Sequence, residues 1–401
     1  MLPGARVKTP SRSLVAISFA LVACRSDMNG SGPSGHPALD IGPDLRGYSG
    51  HEFSLTARVN PQGATRESFR WTLSWGDGAS DSGSLALPLA AITAAHTYAT
   101  TGQFPVRLSL LGTGAGDTAS DTLTAIVDPP GTPEVFIGAG DIAACGIEAT
   151  LKHAAATGQL VAETQGTVFA AGDEAYPAGA PADYATCYDP LWGSFKKRTR
   201  PVPGNHDYDT PAADGYFDYY GAAAGDSATG YYSFDLGAWH ILMLNSNFHD
   251  KRIPLGPELA WVQADLLTHP SRCTLALFHH PRFSSGITHG SDTLMIPLWQ
   301  VLYDGGVDVI VNGHEHNYER FAPQTPSGGL DTVRGIREFV VGTGGSGYYP
   351  LGAPIANSQD TTTDHGVLKL TLTDSAYHWE FVSIPNYYSN PHSDSGTTVC
   401  H

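Results

Sequence analysis

Basic residues are scarce in this chain. Against 39 Asp and Glu stand 22 Lys and Arg, giving a formal charge of −17 over 401 residues. A surface this acidic is a poor general binder of nucleic acid, which needs a basic one. Charge of either sign is also sparse, at 15%. The chain is still not of the kind that stays unfolded, because 41% of it is hydrophobic and 46 Gly and 28 Pro punctuate it. That balance suits a globular protein rich in strands and loops. Several catalytic signatures are missing. The five cysteines form no CxxC pair, which weakens a zinc cluster. HEHNY at 314–318 lacks the second histidine of HExxH, and no GxSxG elbow occurs. GTGGSG at 342–347 is followed by YYPLGAP rather than a helix, so it reads as a loop at the edge of a site, not a dinucleotide loop.

What is present begins with MLPGARVKTPSRSLVAISFALVAC. Arg6, Lys8 and Arg12 precede SLVAISFALVA, an apolar run too short to span a bilayer comfortably; together they read as an export signal over residues 1–23. The run ends in LVAC, which resembles the bacterial lipobox. That resemblance implies lipidation at Cys24 and a membrane attachment through the lipid; an ordinary secretory signal cut nearby is the alternative. Loss of residues 1–23 would take the formal charge from −17 to −20. An exported chain meets an oxidising compartment, so the four remaining cysteines suggest two disulfides. Sequence does not fix their connectivity. The expected pairing is Cys145 with Cys187 and Cys273 with Cys400, since the first two flank neighbouring motifs.

Residues 24–39, which include DMNGSGPSGHP, read as a flexible tether. Over 40–128 the runs EFSLTARVN, SFRWTLSW, QFPVRLSLL and DTLTAIVD recur at regular spacing between turn-rich segments, the pattern of a small β-sandwich. WGDG at 75–78 and HTYATTGQFPV at 96–106 resemble the PKD family of immunoglobulin-like domains. That resemblance implies a spacer or adhesive module whose ligand the sequence does not reveal. Asp77 and His96 read as turn and packing residues. DPPGTPE at 128–134 marks a domain boundary. Beyond it, over 134–401, apolar strand-like runs alternate with the helical segments LKHAAATGQLVAET and PELAWVQADLLT, which argues for α/β architecture. FKKRTR at 195–200 reads as a solvated helix end rather than a means of steering anions.

In α/β sheets, sites form outside the carboxyl ends of strands. The strand ends here deliver, in order, Asp141 (IGAGD), Asp173 and Tyr176 (GDEAY), Asn205, His206 and Asp207 (GNHD), His279 and His280 (FHHP), and His314 and His316 (GHEH). Carboxylates and an amide oxygen suit hard cations, and imidazoles suit borderline ones. A carboxylate can bridge two ions. The glycine before most of these residues is expected to let the backbone turn sharply. Each fragment alone is a weak signal; their ordered recurrence is a strong one.

The ordered set GD, GDxxY, GNHD, HHP and GHxH resembles the calcineurin-like metallophosphoesterase superfamily and, within it, the purple acid phosphatases, over about residues 134–401. The resemblance implies a four-layer αββα sandwich, and thus an overall α/β class preceded by the all-β PKD-like domain. It implies two metal ions and hydrolysis of phosphate monoesters by a metal-activated hydroxide. One ion would take Asp141, Asp173, Tyr176 and His316. The other would share Asp173 and add Asn205, His279 and His314. His279 rather than His280 is expected because the family ligand lies two residues before the proline, here Pro281. Tyr176 as a phenolate favours iron in the first site; zinc, manganese or iron would fill the second. His206 would contact phosphate and assist the leaving group, and His289 would stand on the substrate side. There are two departures. Asp141-Ile142-Ala143 lacks the histidine of the Asp-x-His form. Ala178 stands where related enzymes carry an acid that orients the catalytic histidine, so Asp183 or Asp207 becomes the candidate for that role. YERF at 318–321 is expected to brace the GHEH loop, with Arg320 pairing a carboxylate. The rival readings are a phosphodiesterase or nucleotidase of the same superfamily, and a surface binding lipoprotein with a relic metal domain.

Overall fold

The alternation in EFSLTARVN becomes the strand Glu52–Asn60, with Phe53, Leu55, Ala57 and Val59 buried and the intervening residues exposed or half-buried. The structure is a computed structural model and describes residues 37–60, 68–86, 91–112 and 118–401. The export signal, Cys24 and most of the tether lie outside the described residues. Glu52–Asn60 pairs antiparallel with Ala38–Asp40 and Ala91–Thr97, so the first strand begins inside the stretch expected as tether. A second sheet runs in the order Leu45–Tyr48, Thr118–Asp128, Gly102–Gly112, Ser68–Ser74, Ser80–Ala86. Both sheets contribute to one core that includes Phe53, Leu55, Phe69, Leu73, Val106 and Leu108. Among the described residues from 37 to 128, every regular element is a strand. His96 stacks on Trp75, with centroids 5.0 Å apart, and its Nε2 lies 2.7 Å from Asp77 Oδ2. Both residues therefore serve packing and the turn.

From Glu134 the chain is mixed α/β. One sheet runs Thr199–Val202, Thr167–Ala171, Glu134–Ala139, Gly366–Leu372, Ala376–Ser383, Ser393–Val399, its first three strands parallel. The other runs Tyr232–Leu236, Trp239–Met243, Cys273–Leu277, Val309–Asn312, Arg337–Val341, Tyr318–Phe321, Ser358–Thr362, with a parallel centre from Trp239 to Val341. Phe136, Val168 and Leu368 of the first share a core with Ile241, Leu275, Val309 and Phe339 of the second. The alternate residues of the second sheet, Leu242, Ala276, Ile310 and Val340, pack with Val262 of the helix Leu255–Thr268 and with Leu298, Trp299 and Leu302 of the helix Ile296–Asp304. Burial on both faces explains why CTLAL and VIV read as unbroken apolar runs. The helix Glu148–Glu163 buries Thr150, Ala154, Thr157, Gly158 and Val161 at helical spacing.

Both expected disulfides form. Cys145 pairs with Cys187 and Cys273 with Cys400. The second joins the start of a central strand in one sheet to the residue that follows the last strand of the other. The DPPGTPE junction is anchored. Arg46 reaches Asp128 at 2.7 Å and the buried Glu134 at 2.5 Å, and the Tyr48 hydroxyl donates to Thr132 O at 2.6 Å. FKKRTR is not a solvated helix end. Arg198 donates to Gly166 O and Val161 O, each at 2.7 Å, Arg200 donates to Asp44 O at 2.7 Å, and Lys196 lies over the Tyr219 ring. These cations are drawn inward because loop and helix-end carbonyls there need donors. No helix among the described residues is long and apolar enough to cross a membrane.

His240, 1% exposed, sits between two carboxylates, with Nδ1 2.8 Å from Asp235 and Nε2 2.7 Å from Asp265. Burial opposes a charge on this ring, but the hydrogen bonds and charges of Asp235 and Asp265 outweigh it and push its pKa up to about 9. A raised pKa gives stability that is fully present below the ordinary histidine value and is lost as pH rises through the folded value. The expected loss is roughly 2–3 kcal/mol. In urea titrations the wild-type midpoint should therefore fall between about pH 6.5 and 9.5. His240→Gln should start lower at pH 6 and change little over that range.

Candidate metal centre

Five strand ends from the two sheets converge. Glu134–Ala139 leads to Asp141, Thr167–Ala171 to Asp173 and Tyr176, and Thr199–Val202 to Asn205 and His206. Cys273–Leu277 leads to His279, and Val309–Asn312 to His314 and His316. Tyr176 Oη lies 2.8 Å from Asp141 Oδ1, 3.2 Å from Asp173 Oδ2 and 3.0 Å from His316 Nε2. His316 Nε2 is 3.2 Å from Asp141 Oδ1. On the other side, the same Asp173 Oδ2 is 3.3 Å from His279 Nε2, which is 3.3 Å from His314 Nδ1. Asn205 Oδ1 is buried and has no hydrogen-bond partner. The set thus falls into two groups that share Asp173.

The groups behind these donors fix which atoms face inward. His279 Nδ1 is held by Ala171 O at 2.8 Å and His316 Nδ1 by Gly347 O, leaving Nε2 of each ring toward the acids. Gly347 belongs to GTGGSG, which is indeed a loop at the site's edge. The His314 amide donates to Asp141 Oδ2 at 2.8 Å, and the His206 amide to Asp173 Oδ1 at 2.8 Å. Asp207 accepts the amides of Asp173 and Gly204 on one oxygen, at 3.0 and 2.8 Å, and the Tyr184 hydroxyl on the other at 2.7 Å. Its carboxylate braces the strand-end loops, while the His206 ring turns to Pro177 O and Asp209.

The sharp turns are made differently from the sequence expectation. Asp141, Asp173 and His314 themselves occupy left-handed backbone, with φ of 59°, 54° and 70°. For residues with a Cβ this is strained backbone of a kind that clusters at functional sites. Of the glycines before them only Gly172 has positive φ. Gly313 instead provides room, since a Cβ there would stand 2.6 Å from Ala171 O and 2.7 Å from Asp141 Oδ2.

Charge explains what this cage attracts. Asp141 and Asp173 are 0% and 2% exposed, and among the described residues only imidazoles form ion pairs with them. Burial disfavours charge on His279 and His316, yet Asp173 and Asp141 overcome it, pushing His279 up to about 9 and His316 upward. Asp173 is held low by His279 in spite of its burial. Burial and the two aspartates push the Tyr176 hydroxyl well above its ordinary value, so without a cation it is a neutral donor to Asp141. His314 is driven down by burial and by His279 and stays neutral. The donor set, the shared carboxylate and the unpartnered Asn205 oxygen all fit a pair of cations.

His206 is half-buried, with its ring 4.6 Å from that of Tyr176. Its Nδ1 lies 2.6 Å from Pro177 O and 3.5 Å from Asp209 Oδ2. Neither Asp183 nor Asp207 performs this task; Asp183 caps the amide of Ala180 instead. His289 stacks on His314, with centroids 4.1 Å apart. His280 is buried behind the centre, its Nδ1 2.7 Å from Ser246 Oγ. Arg320 forms the expected carboxylate pair, with Asp394, at 2.7 and 3.1 Å.

Three buried glutamates support the site; of these the sequence reading gave a bracing role only to Glu319, within YERF, and assigned none to Glu315 or Glu338. Glu315 accepts the amides of His289 and Gly290, Glu319 accepts the amide and hydroxyl of Ser285, and Glu338 accepts the amides of Arg282 and Phe283. Together they clamp the loop that carries His289. Nothing in a single sequence separates such residues from solvated glutamates.

An α/β fold with metal-donor residues gathered at strand ends defines a class of metal-dependent hydrolases. Residues 96–318 match the calcineurin-like phosphoesterase family, and the chain belongs to that family. It is similar to Purple acid phosphatase 15 of Arabidopsis thaliana, 31% identical over 148 residues, which are 32% of this chain and 27% of that protein. It is also similar to Purple acid phosphatase 21 of Arabidopsis thaliana, 25% identical over 232 residues, 49% of this chain and 51% of that protein. The chain spans about half, or less, of the length of these relatives. Among solved structures, "GAP50 the anchor in the inner membrane complex of Plasmodium" aligns at 15% identity with a TM-score of 0.49, covering 66% of this chain and 88% of that one.

Glu338→Ala would leave two buried amides without acceptors. It should cost about 2–4 kcal/mol, read as a lower urea midpoint, with faster amide exchange at Arg282 and Phe283 than elsewhere.

Proposed function

We propose that this protein is an exported, lipid-anchored phosphohydrolase that cleaves phosphate monoesters at a two-cation centre. The observation that carries the reading is Asp173. Its Oδ2 stands 3.2 Å from Tyr176 Oη and 3.3 Å from His279 Nε2, the position a bridging carboxylate requires. Asp141, Asp173, Tyr176 and His316 would hold one ion, and Asp173, Asn205, His279 and His314 the other. A phenolate in the first set favours iron there; zinc, manganese or iron suits the second. Bound cations supply Lewis acidity, offsetting the ester's negative charge and lowering the pKa of water from about 15.7 toward 7.

The chain's own residues do the rest. Pro177 O accepts the Nδ1 proton of His206, which turns Nε2 toward the substrate; with the ring in its imidazolium form, Nε2–H gives its proton to the departing oxygen as the ester P–O bond breaks, leaving His206 neutral. Asp209, rather than an acid after Tyr176, supports that ring. His289, on its glutamate-clamped loop, serves the substrate side. The flanking architecture supports this reading: two sheets with a common core and helices outside fit the four-layer αββα arrangement. The strands of 37–128 fit a PKD-like, immunoglobulin-like sandwich acting as a spacer between anchor and enzyme. Cys24, outside the described residues, would carry the lipid.

Asp173→Ala should abolish turnover of p-nitrophenyl phosphate and lower the content of both metals; normal turnover would refute the assignment. His206→Ala should keep its metals and lose about 10²–10⁴ in kcat. Comparing the mono-ester with bis(p-nitrophenyl) phosphate separates monoesterase from diesterase. Failure of the metal-loaded protein on both esters would favour the binding-lipoprotein reading instead.

A further inference from the structure

A second group of donor side chains lies beside the centre and plays no part in it. The loop after the strand Trp239–Met243 carries Ser246, His249 and Asp250. One ring nitrogen of His249, one carboxylate oxygen of Asp250 and one ring nitrogen of His280 lie within 4.8 Å of one another. Hydrogen bonds decide which nitrogens are available. His280 Nδ1 is 2.7 Å from Ser246 Oγ, which also accepts the His280 amide at 3.0 Å. His280 Nε2 is then left buried without a partner, on a residue 1% exposed. A polar atom abandoned in the interior costs free energy, and native structures seldom tolerate one without a reason.

His249 is oriented in a similar way. Its Nε2 lies 3.4 Å from Asp292 Oδ2, an oxygen with no hydrogen bond of its own, and its Nδ1 lies 2.9 Å from Asp250 Oδ1. A carboxylate behind an imidazole is the arrangement that aims a metal-ligating histidine. The two rings stack, with centroids 4.8 Å apart. The cluster of His240, Asp265 and His269 offers a contrast. Its donors are equally close, but both nitrogens of its buried His240 are taken by carboxylates, so it has no buried, unpartnered ring nitrogen like His280 Nε2.

We propose that His249 Nδ1, Asp250 and His280 Nε2 form a further cation site, suited to a borderline divalent ion such as zinc. Asp292 and Ser246 orient its two imidazoles. Two imidazoles and one carboxylate are a zinc donor set, and three protein ligands leave one coordination position open. The His280 ring is 4.5 Å from that of His314, centroid to centroid, so this site borders the main centre. The binding site itself does not depend on the phosphohydrolase reading.

The test is a zinc titration of the full mature chain after chelator stripping, with bound metal counted by mass spectrometry of the eluted protein. Wild type is compared with His249→Ala and with Asp250→Asn. The second variant changes an exposed side chain and guards against a folding defect in the first. Each variant should hold one zinc equivalent fewer than wild type at the concentration that saturates wild type. Equal counts in all three proteins would overturn the proposal. Only the difference from wild type is read, so the result stands whether or not the Asp173 centre takes up two ions.

Discussion

Buried negative charge is the constraint around which this molecule is arranged. Asp141 and Asp173 lie in the interior with a tyrosine hydroxyl between them, and among the described residues their ion pairs are with imidazoles alone. Carboxylates taken out of water without compensation are costly. The energetic answer is positive charge held at fixed points, and the ring of donors provides those points. That is why the same residues that would bind cations also draw protons to His279 and His316.

The rest of the α/β region supports that cage. Parallel strands from two sheets end at one place, and at three of them the donor residue itself takes the left-handed backbone that turns its side chain inward. Such conformations cost about 1–3 kcal/mol each. The surroundings offset this through Asp207, which holds two loop amides, and through glutamates 315, 319 and 338, which hold the loop beyond His280. The all-β segment is fastened by Arg46, Tyr48 and Arg200 at the junction. It is therefore attached to the α/β region.

The ordered motifs at strand ends made the α/β class and the principal donors legible, because strand runs and glycine-rich turns are local signals. The disulfide pairing was a matter of choosing among connectivities, and the structure brought the chosen partners together. Less legible was the support for His206. The acid that sequence comparison would place after Tyr176 is absent, and two aspartates nearer in the motif were candidates. The structure gives the position to Pro177 O and Asp209. FKKRTR was misread because its arginines satisfy carbonyls that are distant in sequence.

By itself the sequence determined which chemistry was possible: a set of oxygen and imidazole donors, each at the end of an apolar run, and too little basic charge for a nucleic-acid surface. Period and local turn composition carry that information, since they depend on neighbours along the chain. The tertiary structure alone decided that Asp173 stands between two groups of donors, that the His206 ring turns to Pro177 O and Asp209, and that His280 joins His249 and Asp250 rather than the main cage. Those outcomes depend on which strand ends and loops meet in space, and residues tens to more than a hundred positions apart leave no local pattern that records their distance.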